Sequence, residues 1–227
     1  EAKMTRILST KKLSKALKNK LSDAKIELVE KNFIQTKSID FETPQLNDYL
    51  VFTSKEAVKS VLKSKIKKVH FISCLCVGSK TRSFLEKKGF TVIESADYAE
   101  ELIQIIESKY KTNSFTFFCG NIRRNTIPAF FQQNKIAYNE IVVYETKLKP
   151  QQIKKSFDGV LFYSPSGVNS FLEKNSLENK TCFCIGTTTA KALGNNPEAS
   201  GHKNIVIASQ PTVEHVIDEV IKYYKRL

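Results

Sequence analysis

The chain is written twice. Asp48-Tyr-Leu-Val-Phe-Thr-Ser-Lys-Glu-Ala-Val58 returns as Asp158-Gly-Val-Leu-Phe-Tyr-Ser-Pro-Ser-Gly-Val168, and Cys74-Leu-Cys-Val-Gly-Ser-Lys-Thr81 returns as Cys182-Phe-Cys-Ile-Gly-Thr-Thr-Thr189. Ile7-Leu-Ser-Thr10 has its counterpart in Phe117-Phe-Cys-Gly120, again about 110 residues further on. A self-similar chain folds as repeated units. The 227 residues divide into two such units of ordinary domain size. Two similar lobes make a cleft, and a cleft between domains is the default place for a small-molecule site.

Apolar runs alternate with helical patterns along the whole chain. Strands are predicted at Thr5–Ser9, Tyr49–Thr53, Val69–Val77, Thr91–Glu94, Phe115–Cys119, Ile141–Lys147, Val160–Tyr163, Thr181–Ile185 and Ile205–Ala208. Helices are predicted at Leu13–Ser22, around Ala57–Leu62, and at Thr81–Lys88, Tyr98–Ser108, Ile127–Gln133, Val168–Lys174, Thr188–Leu193 and Val213–Tyr224. Gly89 stops one of them. Strands alternating with short helices predict α/β lobes built on parallel sheets.

Hydrophobic residues make up 41% of the chain, enough for packed cores rather than disorder. No apolar run approaches the roughly 20 residues of a membrane span, and no secretory segment follows the N-terminus. Five cysteines without a signal peptide predict a reducing compartment, the cytoplasm. Cys74/Cys76 and Cys182/Cys184 lie inside apolar strands at Cys-x-Cys spacing, so each pair shares a face and reads as core thiols. A four-thiolate zinc site would need both strands at one point and lacks the Cys-x₂-Cys spacing, so no metal is expected.

The net charge of +13 attracts polyanions: nucleic acid, an acidic membrane, or a small molecule with several carboxylates or phosphates. In parallel α/β sheets ligands bind beyond the carboxyl ends of the strands. The loops predicted there are Ser9-Thr-Lys-Lys12, Thr53-Ser54, Gly78-Ser-Lys-Thr81, Gly120-Asn-Ile-Arg-Arg124, Ser164-Pro-Ser-Gly167, Gly186-Thr-Thr-Thr189 and Gln210-Pro-Thr212. Nearly all carry a small hydroxyl and several a glycine or a cation, which suits an anion at a helix N-terminus. Each alone also suits a helix cap; their repetition in both lobes favours a polyanion site. There is no phosphate loop, dinucleotide fingerprint or nucleophile elbow. His70, His202 and His215 are scattered without a partner motif. No nucleophile–base pair is evident, so an enzyme with these residues would work by binding, orienting and stabilising charge.

At these loops the chain resembles the uroporphyrinogen-III synthases. Val51-Phe-Thr-Ser54, Phe118-Cys-Gly-Asn121, Val143-Tyr-Glu-Thr146, Phe162-Tyr-Ser-Pro-Ser-Gly-Val168, Ile185-Gly-Thr-Thr-Thr-Ala-Lys-Ala-Leu193 and Ala208-Ser-Gln-Pro-Thr212 follow that family's motifs in order over essentially the whole chain. Thr187 departs from them, standing where the family usually has proline.

The resemblance implies two similar flavodoxin- or Rossmann-like lobes joined by a two-strand bridge. Residues 1–36 and 149–227 would form the discontinuous first lobe, 42–140 the second, and 37–41 with 141–148 the connecting strands. The implied partner is hydroxymethylbilane, a linear tetrapyrrole with eight carboxylates. It would be cyclised with inversion of the last pyrrole through a spiro intermediate and loss of water, by a cofactor-free lyase of haem biosynthesis. Apart from the resemblance, no coiled-coil or long apolar stripe demands an oligomer, so a monomer is expected.

Tyr144 matches the family's tyrosine on the segment joining the lobes, a general acid for the departing hydroxide. With a phenol pKa of ~10 it would donate usefully only when tightly oriented. Thr53, Ser54, Gly78, Thr81, Gly120, Asn121, Ser164, Ser166, Gly167, Gly186, Thr188 and Thr189 are the implied substrate-binding residues. Lys11, Arg123 and Arg124 are the implied charge partners. Two rivals remain. A two-lobed anion binder would hold the ligand without changing it. A basic nucleic-acid binder would show steep salt dependence, although no basic helix with interleaved aromatics favours it.

Overall fold

The computed structural model describes residues 4–195 and 204–226. Along the chain run β1 (Arg6–Ser9), α1 (Lys15–Asp23), β2 (Glu27–Glu30), β3 (Ile34–Ser38), β4 (Tyr49–Phe52), α2 (Lys55–Lys63), β5 (Cys74–Val77), α3 (Ser79–Lys87) and β6 (Val92–Ala96). They are followed by α4 (Ala99–Lys109), β7 (Phe115–Gly120), α5 (Thr126–Gln133), β8 (Tyr138–Leu148), β9 (Gly159–Phe162), α6 (Pro165–Leu172), β10 (Thr181–Cys184), α7 (Thr187–Asn195), β11 (Ile205–Ile207) and α8 (Val213–Tyr224). The chain divides into two compact units. A split unit takes the chain up to Gln35 and again from Lys147; a continuous unit is Thr36–Thr146.

The split unit holds a sheet in the order β11-β10-β9-β1-β2, with every pairing parallel. The continuous unit holds β3-β8-β7-β4-β5-β6, parallel from β8 to β6. Strand β3 lies along β8. The bonds from Ile39 N–H to Val143 C=O and from Lys149 N–H to Phe33 C=O run the two chains antiparallel. The two sheets are the same sheet with the chain cut at different places. β9, β10, β11, β1 and β2 occupy the positions of β4, β5, β6, β7 and β8, the pairings of the sequence repeat.

Strands buried on both faces read as unbroken apolar runs, and alternation deals their side chains to two cores. In the continuous unit Leu50, Phe52, Cys74, Cys76 and Phe118 pack with α2 and α3. Val51, Leu75, Phe115, Phe117 and Cys119 pack with α4 and α5. In the split unit Leu8, Val160, Phe162, Cys182 and Cys184 face α6 and α7. Ile7, Leu161 and Phe183 face α1 and α8, packed with Leu13, Leu17 and Leu21. All five cysteines are buried core thiols. Burial pushes Cys74, Cys76, Cys119 and Cys184 up to about 12. A disulfide reagent at pH 8 is therefore expected to titrate less than about one thiol in the native protein, and all five only after unfolding. Rapid native labelling would contradict this packing.

Helix ends carry a second trace of the repeat. α3 closes with a Schellman motif: Gly89 N–H bonds Glu86 C=O, Phe90 N–H bonds Leu85 C=O, and Gly89 has φ +84°. α1 and α5 close the same way, but with lysines, Lys25 (φ 58°) and Lys135 (φ 53°), in the left-handed position. A left-handed lysine costs about 1–2 kcal/mol. After the extra unfolded-state entropy of glycine, Lys25→Gly and Lys135→Gly are each expected to stabilise the protein by roughly 0.5–1 kcal/mol, read from denaturant midpoints. An unchanged or lowered midpoint would show the strain is absent.

One predicted strand is shorter than expected. Val69–Val77 is not a single strand: Val69–Phe71 forms a 3₁₀ turn and only Cys74–Val77 joins the sheet. The neighbouring β4 offers partners from Leu50 onward, opposite Cys74, so earlier residues have nothing to pair with. Phe71 is 88% exposed. The histidines have local partners: the His70 ring lies 4.4 Å from that of Phe90, and His215 Nδ1 meets the capping Thr212. His202 lies outside the described residues.

Candidate active site

Parallel strands end on one edge of their sheet, so the singled-out loops of each unit emerge together at that unit's carboxyl edge. The ligand position in such sheets is where the strand order reverses. That point falls between β4 and β7 in the continuous unit and between β9 and β1 in the split unit.

At the β4/β7 point the structure gathers Thr53, Ser54, Gly120, Asn121 and Tyr144. Ser54 caps α2, accepting from Ala57 N–H at 3.2 Å. Its hydroxyl donates to the Tyr144 hydroxyl at 3.1 Å. Tyr144 reaches it because the β7–β8 register slips: Cys119 faces Val142, but Gly120 faces Tyr144. The extra residue interrupts alternation, so Val143 and Tyr144 pack on the same core. The Tyr144 ring lies across Gly120, where a Cβ would stand 2.6 Å from ring carbons and 2.9 Å from the hydroxyl. Asn121 fastens the end of the bulge. Its N–H bonds Tyr144 C=O at 3.1 Å, and its Oδ1 accepts from Thr146 N–H at 2.7 Å.

The following cations are engaged within the unit. Arg123 pairs with Glu140 at 2.9 Å and Arg124 with Glu100 at 2.8 Å, so a substrate carboxylate would have to compete with each. Gly78 and Thr81 lie one strand over, at the start of α3, with Thr81 buried.

Burial is the largest influence on the Tyr144 phenol and raises its pKa above the ordinary 10, while the Ser54 bond pulls it down. The group is neutral throughout the physiological range. An unfolded tyrosine ionises near 10, so the stability tied to a raised phenol is whole below about pH 10 and is lost as pH rises through the folded value. Tyr163, also raised by burial, adds in the same direction. Between pH 9 and 11 wild type is expected to lose more stability than Tyr144→Phe, measured by denaturant titration. Parallel losses would remove Tyr144 from this titration.

At the β9/β1 point the structure gathers Lys11, Ser164, Ser166 and Gly167. Ser164 caps α6, accepting from Gly167 N–H at 3.0 Å, with Pro165 opening the helix. Gly186, Thr188 and Thr189 lie one strand over, at the start of α7, Thr189 buried and Thr188 half-buried. Thr187 takes the first helical position, where proline is favoured. Three further residues occupy this point. Ser9 and Thr10 are buried, Thr10 Oγ1 donating to Leu161 C=O at 2.7 Å. Tyr163 directly follows β9, its hydroxyl 2.8 Å from Ser9 Oγ and its ring beneath Lys11 Nζ. Its signal was a tyrosine ending an apolar strand where the other copy has Thr53.

Among the described residues no group of His, Cys, Asp and Glu could hold a metal ion, and no helix is long and apolar enough to cross a membrane.

Two doubly wound α/β units, each with hydroxyls and backbone N–H groups at its strand-order reversal, place the chain among α/β proteins that take small ligands at the strands' carboxyl ends. The family model described as uroporphyrinogen-III synthase HemD matches residues 15–218. The uroporphyrinogen-III synthase of Saccharomyces cerevisiae is 24% identical, over 79% of this chain and 77% of its own. Among solved structures, uroporphyrinogen-III synthetase from Helicobacter pylori superposes with a TM-score of 0.69 at 22% identity, covering 97% of this chain and 100% of that one. A mutant uroporphyrinogen III synthase from the extremely thermophilic bacterium Thermus thermophilus gives 0.65 at 13% identity, covering 98% of both. The chain belongs to the uroporphyrinogen-III synthase family, enzymes of tetrapyrrole and haem biosynthesis.

Proposed function

We propose that the chain is a lyase that closes hydroxymethylbilane to uroporphyrinogen III, inverting the terminal pyrrole through a spiro intermediate and releasing water. It acts as a monomer in the cytoplasm. Substrate and product differ by one water, so there is no net oxidation or reduction and no redox cofactor is required.

The supporting observation is the direction of one hydrogen bond. Ser54 donates to Tyr144, so the phenolic proton of Tyr144 is not used in that bond. Hydroxide is a poor leaving group. A proton from Tyr144 lets it depart as water while the pyrrole nitrogen pushes electrons toward the methylene carbon. The Ser54 hydroxyl then remains as a donor to the phenolate, lowering its energy as charge develops. The resulting cation is attacked by the substituted carbon of the terminal pyrrole, which forms the spiro centre. The bond between the spiro carbon and its original bridging carbon then breaks, the freed bridging carbon bonds the unsubstituted α-carbon of the same pyrrole, and the proton lost from that α-carbon restores the acid.

Eight carboxylates suit a chain of net charge +13. Thr53, Ser164, Ser166, Gly186, Thr188 and the helix starts beside them offer hydroxyl and N–H donors to those groups, while the Gly167 N–H is held by the Ser164 cap. Lys11 supplies a cation. Gly78, Thr81 and Thr189 shape the neighbouring helix starts.

Chelator-dialysed protein at catalytic concentration is expected to shorten the lifetime of freshly made hydroxymethylbilane well below that of spontaneous closure. Consumption limited to one substrate per protein would leave an anion binder instead.

A further inference from the structure

We propose that Tyr163 is a positioning residue that presets the Lys11 ammonium to receive a carboxylate of the substrate. The proposal deepens the synthase function above and rests on it.

The two tyrosines at the strand-order reversals are wired in opposite directions. Ser9 has a single hydroxyl proton, and it goes to the Lys11 carbonyl at 2.6 Å. The 2.8 Å contact between Ser9 Oγ and Tyr163 is therefore made with the tyrosine's proton. Tyr144 keeps its proton for other use; Tyr163 has spent its own inward, so it serves as a strut and not as an acid.

The strut closes a circuit. It begins at the Lys11 carbonyl, passes through Ser9 to the Tyr163 hydroxyl, and returns through the ring to Lys11 Nζ, 4.6 Å from the ring centroid. One residue is thus held at its backbone and at the tip of its side chain by the same pair of neighbours. The backbone beyond is also tied, Lys12 N–H donating to Asn32 Oδ1 at 2.9 Å. Ser9 is fully buried, so the hydroxyl at the centre of the circuit is sheltered from water.

A lysine free to rotate gives up rotamer freedom when it captures an anion. One already held over an aromatic face gives up less. The circuit accordingly strengthens binding and leaves the proton transfer at Tyr144 alone.

The test is a double-mutant cycle on the full chain with Tyr163→Leu, Tyr163→Phe and Lys11→Met. Tyr163→Leu is expected to raise KM for hydroxymethylbilane about tenfold with kcat within about twofold. Tyr163→Phe, which keeps the ring, should raise KM only about threefold. In a Lys11→Met background, adding Tyr163→Leu should move KM by less than about twofold, because the group it positions is gone. A packing role would persist in that background, so equal KM rises in both would overturn the proposal, as would a collapse of kcat at constant KM.

The same cycle is read by fluorescence titration with uroporphyrin III, a polycarboxylate that needs no turnover. If wild type converts nothing but coupling persists in this titration, the positioning role stands and the reaction falls. If wild type turns over and the residues act independently in both readouts, the positioning role falls. A wild type that binds no uroporphyrin III and turns nothing over removes both.

Discussion

Tyr144→Phe is expected to lower kcat about a hundredfold, the scale on which a positioned general acid contributes, with KM within about threefold. The substitution leaves the ring across Gly120 and the register slip intact, and deletes only the hydroxyl that accepts from Ser54. Its effect on stability should stay within about 1 kcal/mol, the worth of one hydrogen bond. The kinetic and thermodynamic outcomes therefore separate: a large loss of rate on an unchanged fold. Ser54→Ala should fall between, because it keeps the proton on Tyr144 and removes the donor that steadies the phenolate. Full turnover in Tyr144→Phe would take the residue out of the chemistry and direct attention to the helix-start hydroxyls.

Gly120→Ala is expected to lose at least about tenfold in kcat together with about 1–3 kcal/mol of stability. The added Cβ would stand 2.6 Å from Tyr144 Cε2 and Cζ, closer than such atoms approach. The ring cannot simply swing aside, since its backbone is pinned by Asn121 N–H and its neighbour Val143 is fully buried. Two controls separate displacement of the ring from general damage. In a Tyr144→Phe background the alanine should still destabilise, because the ring is still there, but it should remove little further rate. In a Tyr144→Ala background the destabilisation should shrink, because the methyl enters the vacated space. A Gly120→Ala protein with normal rate would mean that the aim of Tyr144 is unimportant.

What the sequence showed, and where it stopped, follows from which forces act locally. The doubly wound class was legible because strands such as Phe115–Gly120 and Gly159–Phe162 are buried on both faces and so read as apolar runs. Boundaries failed where pairing, not composition, decides. Val69–Phe71 is as apolar as a strand but has no neighbour to pair with. Tyr138–Glu140 is polar yet belongs to β8, because Asn139 bonds Asn47 and Glu140 pairs with Arg123, giving the polar residues partners.

The repeat revealed that two copies exist. It did not reveal the shared strand order, which depends on β1 taking the place of β7 beside a strand 150 residues later in the chain. Lys25 and Lys135 occupy matching left-handed positions that lysine itself does not signal. At the candidate site the loops were visible through their glycines and hydroxyls. The bulge that turns Tyr144 over Gly120 was not, because a register slip is a property of two strands together. Tyr163 stood within a quoted motif, but its pairing with Ser9 joins residues 154 positions apart.

The proposed reaction directs the outcome of a ring closure that also proceeds unaided. The most direct measurement supplies freshly generated hydroxymethylbilane to a catalytic amount of the protein, oxidises the products to porphyrins and resolves the isomers. The inverted type III isomer is expected as the main product, formed faster than spontaneous closure, with the isomer ratio rising as protein is added. Only the non-inverted type I isomer, formed at the spontaneous rate whatever the protein concentration, would contradict it.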